Sequence, residues 1–231
     1  MKQEHQIFNI IVAAGSGSRF GANIPKQFCL LNGKPVLMHA IERMRHALPK
    51  STIIIVLSNN FIDYWEELCD NYSFKSPQIA IGGNTRWQSV KNALEQIKED
   101  ISPDSIITIH DGARPLINKE LINRVIEGSR NASGAIPVAP VTDSLRIINP
   151  DGTSIPTDRA AYRAVQTPQA FQANKLVQAY SLPYQSDFTD DASVMVAAGF
   201  GDISLVDGDY RNIKITMPHD IDIASIYMTT K

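Results

Sequence analysis

The sequence predicts an α/β fold: a mostly parallel, twisted sheet with helices on both faces, plus a protruding β-hairpin arm. Three observations carry that expectation. Short Ile/Val-rich runs alternate with segments of helical periodicity along most of the 231 residues, and such alternation favours parallel strands joined by crossover helices. The runs are apolar throughout, as strands covered on both faces require. Around Val141 the rhythm changes, and Asn149-Pro150-Asp151-Gly152 punctuates two strand-like stretches as a hairpin turn would.

Taken in order, strands are expected over 7–12, 52–57, 79–81, 105–109 and 134–138, each short and rich in β-branched residues. Between them, Val36, Leu37, Ala40, Ile41 and Met44 recur at helical spacing, as do Trp87, Val90, Leu94 and Ile97. Helices over 61–72 and 119–130 fill the other gaps. The hairpin follows over 138–165, and because a βαβ layer has no place for it, it is expected to protrude. A helix over 190–198, strands over 203–206 and 213–216 and a closing helix from Pro218 complete a Rossmann-like order, in which ligands bind at the carboxyl ends of the strands. One domain spanning 1–231, with an arm insertion at about 141–163, accounts for the whole pattern.

Composition narrows the function. Hydrophobic content of 43% and charged content of 20% are ordinary for a globular protein. A net charge of −2 argues against a broad nucleic-acid surface. No apolar run approaches the roughly 20 residues of a membrane helix, and the polar start MKQEHQ has no signal-peptide core. Cys29 and Cys69 lack CxxC spacing, so neither a disulfide framework nor a zinc site is expected, and a reducing cytoplasm is the expected compartment.

The chemistry concentrates in loops after strands. The run over 7–12 breaks into Ala13-Ala14-Gly15-Ser16-Gly17-Ser18-Arg19, with Pro25-Lys26-Gln27 shortly after. Small residues there expose backbone N–H groups to an anion, and Arg19 and Lys26 suit a polyphosphate. Gly15, Gly17 and Gly21 are one residue too widely spaced for a dinucleotide fingerprint, and no Gly-Lys-Ser/Thr of a Walker A loop occurs. His110-Asp111-Gly112-Ala113-Arg114-Pro115 follows a strand; Asp111 can hold Mg²⁺ through oxygen or cap a turn and pair with Arg114, which could grip a second phosphate. His110 reads as structural rather than as a base. Gly82-Gly83-Asn84-Thr85-Arg86 with Ser89 can frame a base or ribose, or be a turn capped by Asn84. Thr189-Asp190-Asp191 reads as a helix start, with both carboxylates suited to capping. Lys214, between Ile213 and Ile215, points away from their face, and alternation alone allows it to face a ligand or water. Arg159, on the arm, reads as solvated. Together these groups fit a nucleoside triphosphate and a second phosphorylated molecule.

In order along the chain, AAGSGSR (13–19) with PKQ (25–27) resembles the signature of sugar-nucleotidyltransferase-like folds. HDGARP (110–115), TDR (157–159), QTPQAF (166–171), TDDAS (189–193) and NIKIT (212–216) resemble the 2-C-methyl-D-erythritol 4-phosphate cytidylyltransferase family over about 7–226. Ribitol-5-phosphate cytidylyltransferases are the nearest alternative; Ala13-Ala14-Gly15 and Asp158-Arg159 favour the methylerythritol group. Gly112 stands where that family usually has Ala, and Ser144 where it usually has Thr. The resemblance implies transfer of CMP from CTP to 2-C-methyl-D-erythritol 4-phosphate with release of pyrophosphate, assisted by Mg²⁺, in isoprenoid precursor synthesis. It implies catalytic roles for Arg19, Lys26 and Lys214, and CTP binding by Ala13, Ala14, Gly15, Ser16, Gly17, Gly82, Gly83, Arg86 and Ser89. Substrate binding falls to Asp111, Arg114, Ser144, Arg159 and Thr189, with Asp111 also the metal contact. It further implies a homodimer whose arms exchange, Arg159 reaching the partner's site; charge and apolar-run length, for their part, lead to no expectation of a nucleic-acid or membrane partner.

Overall fold

In a computed structural model, which describes residues 5–15 and 24–230, the apolar runs are strands buried on both faces. The strands are β1 (Ile7–Val12), β2 (Leu30–Leu31), β3 (Lys34–Pro35), β4 (Thr52–Leu57), β5 (Gln78–Ile81), β6 (Ile106–Asp111), β7 (Gly134–Pro140), β8 (Leu145–Ile148), β9 (Ser154–Thr157), β10 (Arg163–Val165), β11 (Gln169–Gln172) and β12 (Ile203–Asp207). The helices are α1 (Val36–Ala47), α2 (Ile62–Asn71), α3 (Arg86–Ile97), α4 (Lys119–Arg130), α5 (Ala173–Ala179), α6 (Asp191–Ala197) and α7 (Asp220–Thr229). The main sheet runs β10-β7-β11-β6-β1-β4-β5, with β12 beside β7. Its β6-β1-β4-β5 portion is parallel; β11 runs antiparallel to both β6 and β7.

Alternation along each strand divides the core. Ile11, Ile53, Ile55 and Leu57 face α1, α2 and α4, whereas Phe8, Ile10, Ile54 and Val56 face α3, α5 and α6. Full burial of one such side chain contributes about 1.5–3 kcal/mol, so both helix layers are needed to cover these strands. Within this apolar centre, Asn9 is completely buried. Its Nδ2 donates to Ser51 Oγ at 2.6 Å and its Oδ1 accepts from Thr108 Oγ1 at 2.5 Å. Asn9 and Thr108 are register partners across β1 and β6. A one-residue slip would leave both groups unpaired in the core at about 1–3 kcal/mol each, so this pair pins the register that aligns the carboxyl ends of the strands.

The structure corrects three expectations. Residues 213–216 join no sheet among the described residues; Ile215 N donates to Ala113 O at 2.8 Å, and that single bond makes no ladder. The segment 169–172, given no element in the sequence reading, is β11 in the middle of the sheet; its four residues are too few for a periodicity signal. The helix after the Gly82-Gly83 loop is capped by Thr85, whose Oγ1 accepts from Gln88 N, and not by Asn84. Beyond β7, β8 and β9 pair with each other in a separate two-stranded sheet. Ile147, Ile148 and Ile155 on it are 45%, 68% and 51% exposed, an apolar surface without cover in the single chain.

One buried chain of hydrogen bonds ties β11's approach to the end of β6. Thr167 Oγ1 accepts from Asp111 N at 3.0 Å and lies 3.0 Å from His110 Nδ1, while His110 Nε2 lies 3.1 Å from Arg114 O. A carbonyl can only accept, so Nε2 carries the proton and Thr167 donates to Nδ1. His110 is a neutral structural histidine: burial pushes its pKa down to about 4. Because the unfolded chain binds that proton near pH 6.5, this stability is fully present above pH 6.5 and is lost as pH falls toward 4. Denaturant melts at pH 7.5 and 4.5 are expected to show an acid loss roughly 2–3 kcal/mol larger in the native protein than in a His110→Gln variant; equal losses would mean that His110 is already charged in the fold.

Candidate active site

The loops after β1, β5 and β6 meet at one end of the sheet, around a cleft of about 430 Å³. Val12, Ala13, Ala14 and Gly15 form one wall, Gly83, Asn84, Thr85, Arg86 and Ser89 a second, and Lys26, Asp111, Ala113 and Lys214 complete it. The backbone leaves room because glycines sit at the close approaches. A Cβ on Gly82 would lie 2.3 Å from Ala14 Cβ, so Gly82 backs the first wall from behind. A Cβ on Gly112 would lie 2.9 Å from Leu37 Cδ1 and 3.0 Å from Ala13 Cβ, which accounts for a glycine where Ala was the family expectation.

Lys26 opens a short 3-10 turn (Lys26–Phe28). The buried Gln27 beside it donates from Nε2 to Ala13 O at 2.7 Å and to Gly15 O at 3.1 Å. That amide clamps the stem of the Gly-rich loop to the lysine turn; the motif contained Gln27, but nothing in its pattern signalled this task. Ser16, Gly17 and Arg19 lie outside the described residues.

Asp111, at the end of β6, is the electrostatic centre. It is 8% exposed, and Lys214 Nζ lies 2.9 Å, Arg114 Nε 3.4 Å and Arg86 Nε 3.7 Å from its oxygens. Burial alone would raise its pKa, but Arg86, Lys214 and Arg114 together hold it well below the carboxylate range. Arg114 also donates from Nη1 to Asn212 O at 2.7 Å, which ties the 212–216 segment to the site. There Ile215 is buried and Lys214 turns the other way, to Asp111.

A second lobe of about 280 Å³ adjoins the first and shares Arg86, Asp111 and Lys214 with it. Arg114, Val165, Gln166, Thr167, Gln169, Thr189 and Asp190 line the rest. Arg114 and Thr189 were expected at the acceptor, whereas the QTPQ block at 166–169 carried no assigned role and Asp190 read as a cap. Asp190 caps α6 in a capping box with Ser193 and accepts from Gln169 Nε2 at 2.8 Å. Asp191 does not cap. It is fully buried and pairs with Arg86 through two bonds of 2.8 and 2.6 Å, because its side chain starts on the inward face of α6. The η nitrogens of Arg86 are thus engaged, and Arg86 presents its Nε edge to the cleft.

Two expected residues lie apart from both lobes in the single chain. Ser144 is exposed in the loop before β8. Arg159 donates from Nη1 to Thr142 O and lines a different surface pocket with Val141 and Arg163.

Among the described residues no group of three or more His, Cys, Asp or Glu converges on one point. Among the described residues lining the cleft, Asp111 is the one carboxylate beside Lys26, Arg86 and Lys214. Such a site fits Mg²⁺ carried on phosphates, which needs one or two carboxylates and keeps several waters. It does not fit a metal held by protein alone.

This architecture and its sequence have close counterparts. A crystal structure described as 4-diphosphocytidyl-2C-methyl-D-erythritol synthase from Anaerococcus prevotii superposes with a TM-score of 0.78 at 26% identity, covering 98% of this chain and 99% of that one. The 2-C-methyl-D-erythritol 4-phosphate cytidylyltransferase of Porphyromonas gingivalis is 39% identical over 231 residues, all of both chains. That of Bacteroides thetaiotaomicron is 41% identical over 217 residues, 94% of this chain and 96% of its own length. The profile of the same family matches residues 7–230. The chain belongs to the 2-C-methyl-D-erythritol 4-phosphate cytidylyltransferase family.

Proposed function

We propose that this protein transfers CMP from CTP to 2-C-methyl-D-erythritol 4-phosphate, giving 4-diphosphocytidyl-2-C-methyl-D-erythritol and pyrophosphate, in isoprenoid precursor synthesis. The observation that carries the reading is the pair of joined lobes sharing Arg86, Asp111 and Lys214. One lobe has the small-residue wall and cationic lining that a triphosphate needs; the other has the hydroxyl, amide and carboxylate groups that a polyol phosphate needs. Family membership supports the same reaction.

In this reading the acceptor's phosphate oxygen attacks the α-phosphorus of CTP in line, and pyrophosphate leaves. No protein nucleophile is required, so the residues position reactants and offset charge. The amides of Ala14 and Gly15, with Ser16, Gly17 and Arg19, hold the triphosphate. Gly82, Gly83, Arg86 and Ser89 frame the nucleoside, with Ala13 at the base of the loop. Lys26 and Lys214 flank the α-phosphate. Lys214 begins bound to Asp111, and an arriving phosphate competes for it with that carboxylate. Arg114 and Thr189 hold the acceptor. Mg²⁺ on the triphosphate supplies charge neutralisation between phosphates that repel one another. Asp111 is the carboxylate that would hold it.

We further propose a single nucleotidyltransferase domain acting as a homodimer, in which the arm over 141–163 brings Ser144 and Arg159 to the other copy's acceptor lobe. The apolar residues bare on β8 and β9 support this, as does the position of Arg159 away from its own lobes. No helix among the described residues is long and apolar enough to cross a membrane, and both cysteines are unpaired, which suits a reducing cytoplasm.

The direct test is pyrophosphate release with CTP and either acceptor. Turnover is expected with methylerythritol phosphate and at least tenfold less with ribitol 5-phosphate; the reverse order would reassign the acceptor. Lys26→Ala and Lys214→Ala are each expected to lower kcat about 10²–10³-fold with an unchanged far-ultraviolet circular dichroism spectrum, and near-normal kcat in either would defeat its assignment to the α-phosphate. Mixing Arg159→Ala subunits with Lys26→Ala subunits should rebuild one intact site per hybrid dimer, so activity should recover toward half. Verified hybrids without recovery would show that the site is not shared.

A further inference from the structure

We propose that Tyr180 and Asp191, which line neither lobe, are positioning residues that fix Arg86 as the partition between the nucleotide lobe and the acceptor lobe. The proposal rests on the nucleotidyl-transfer reading and adds two residues to it. The Asp191 carboxylate is fully buried, and three donors fill it: Arg86 Nη1 at 2.8 Å and Tyr180 Oη at 2.6 Å on Oδ1, and Arg86 Nη2 at 2.6 Å on Oδ2. Tyr180 is 3% exposed, and its ring stacks on Trp87 at 5.9 Å between centroids and 17° between planes. The tyrosine therefore cannot swing, and neither can the carboxylate it holds.

A guanidinium is planar. Pinning both η nitrogens in a bidentate fork sets the plane and thereby the direction of the Nε–H. Here that edge lies 3.7 Å from Asp111 Oδ1. Lys214 and Arg114 contact the other oxygen, Oδ2, so Arg86 holds Asp111 from the opposite side. Released from Asp191, Arg86 would lose the fixed direction of its Nε–H, and the Oδ1 side of Asp111 between the two lobes would lose its set partner. A staple between α3 and α6 would be a bland explanation for the same contacts. Stability alone is a weak reason for a buried ion pair, because apolar replacements are often as stable or more so. What such a pair adds is a charge with a set direction.

Tyr180→Phe is the informative variant, because it keeps the stack on Trp87 and removes only the donated hydrogen bond. Its kcat is expected to fall about tenfold with CTP affinity by calorimetry within about twofold, since the change acts on a step that needs both lobes. In an Arg86→Lys background the same substitution should add nothing further, because Tyr180 acts through the arginine fork. Asp191→Asn should produce a larger loss of kcat; if it fails to fold, Tyr180→Phe alone decides. Independently of turnover, the Arg86 Nε–H resonance should be sharp and slow to exchange in the native protein and broadened in Tyr180→Phe. The proposal is overturned if Tyr180→Phe lowers thermal stability while kcat stays within twofold, if the losses add in the double variant, or if the Arg86 resonance is unchanged. If the native protein releases no pyrophosphate from CTP with either acceptor, the functional reading falls, and the resonance still decides whether Tyr180 positions Arg86.

Discussion

Asp111 is the constraint on which the rest of this molecule depends. It ends β6, a strand buried along its whole length, so its carboxylate is carried into a site that water hardly reaches. An ion placed there without partners would lose several kcal/mol of hydration. Arg86, Arg114 and Lys214 offset that loss, and each comes from a different segment: the start of α3, the loop after β6 and the stretch before α7. One carboxylate thus gathers the walls of two lobes. The described lining of the nucleotide cleft thus carries Lys26, Arg86 and Lys214 beside Asp111, a basic character that suits a ligand as negative as a triphosphate.

Buried amides, hydroxyls and one histidine hold this arrangement in register. Asn9 and Thr108 align β1 with β6. Gln27 closes the stem of the first loop onto the Lys26 turn. Thr167 joins β11's approach to the end of β6 through Asp111 N and the neutral His110. Each network is more than 10 residues long in sequence separation and satisfied at short range in space, so each penalises the alternative packing in which its members lose their partners. The acceptor lobe exists because β11 lies between β6 and β7 and brings Gln166, Thr167 and Gln169 beside Asp111.

Much of the fold was legible along the chain. The runs at β1 and β4 and the periodic stretches at α1, α3 and α4 announce themselves, because continuous apolarity and a 3.6-residue period are properties of neighbouring residues. The small-residue loop after β1 and the ordered blocks from HDGARP to NIKIT pointed to nucleotide chemistry for the same local reason. The two strand misreadings share a cause. Residues 169–172 form a central strand through their neighbours rather than their composition, and 213–216 completes no ladder because no strand among the described residues pairs with it.

The sequence by itself thus determined the class of fold, the order of most elements and the set of groups available to grip phosphates. Only the tertiary structure decided which of those groups meet. Asp191 looked like a helix-capping carboxylate and is the buried partner of an arginine 105 residues away; Lys214 could face ligand or water and turns to Asp111; Arg159 lies away from both lobes of its own chain. The physical reason is that capping, turns and periodicity act over a few residues, whereas the pairing of buried charge is settled by which segments the sheet order brings together at the carboxyl ends of its strands.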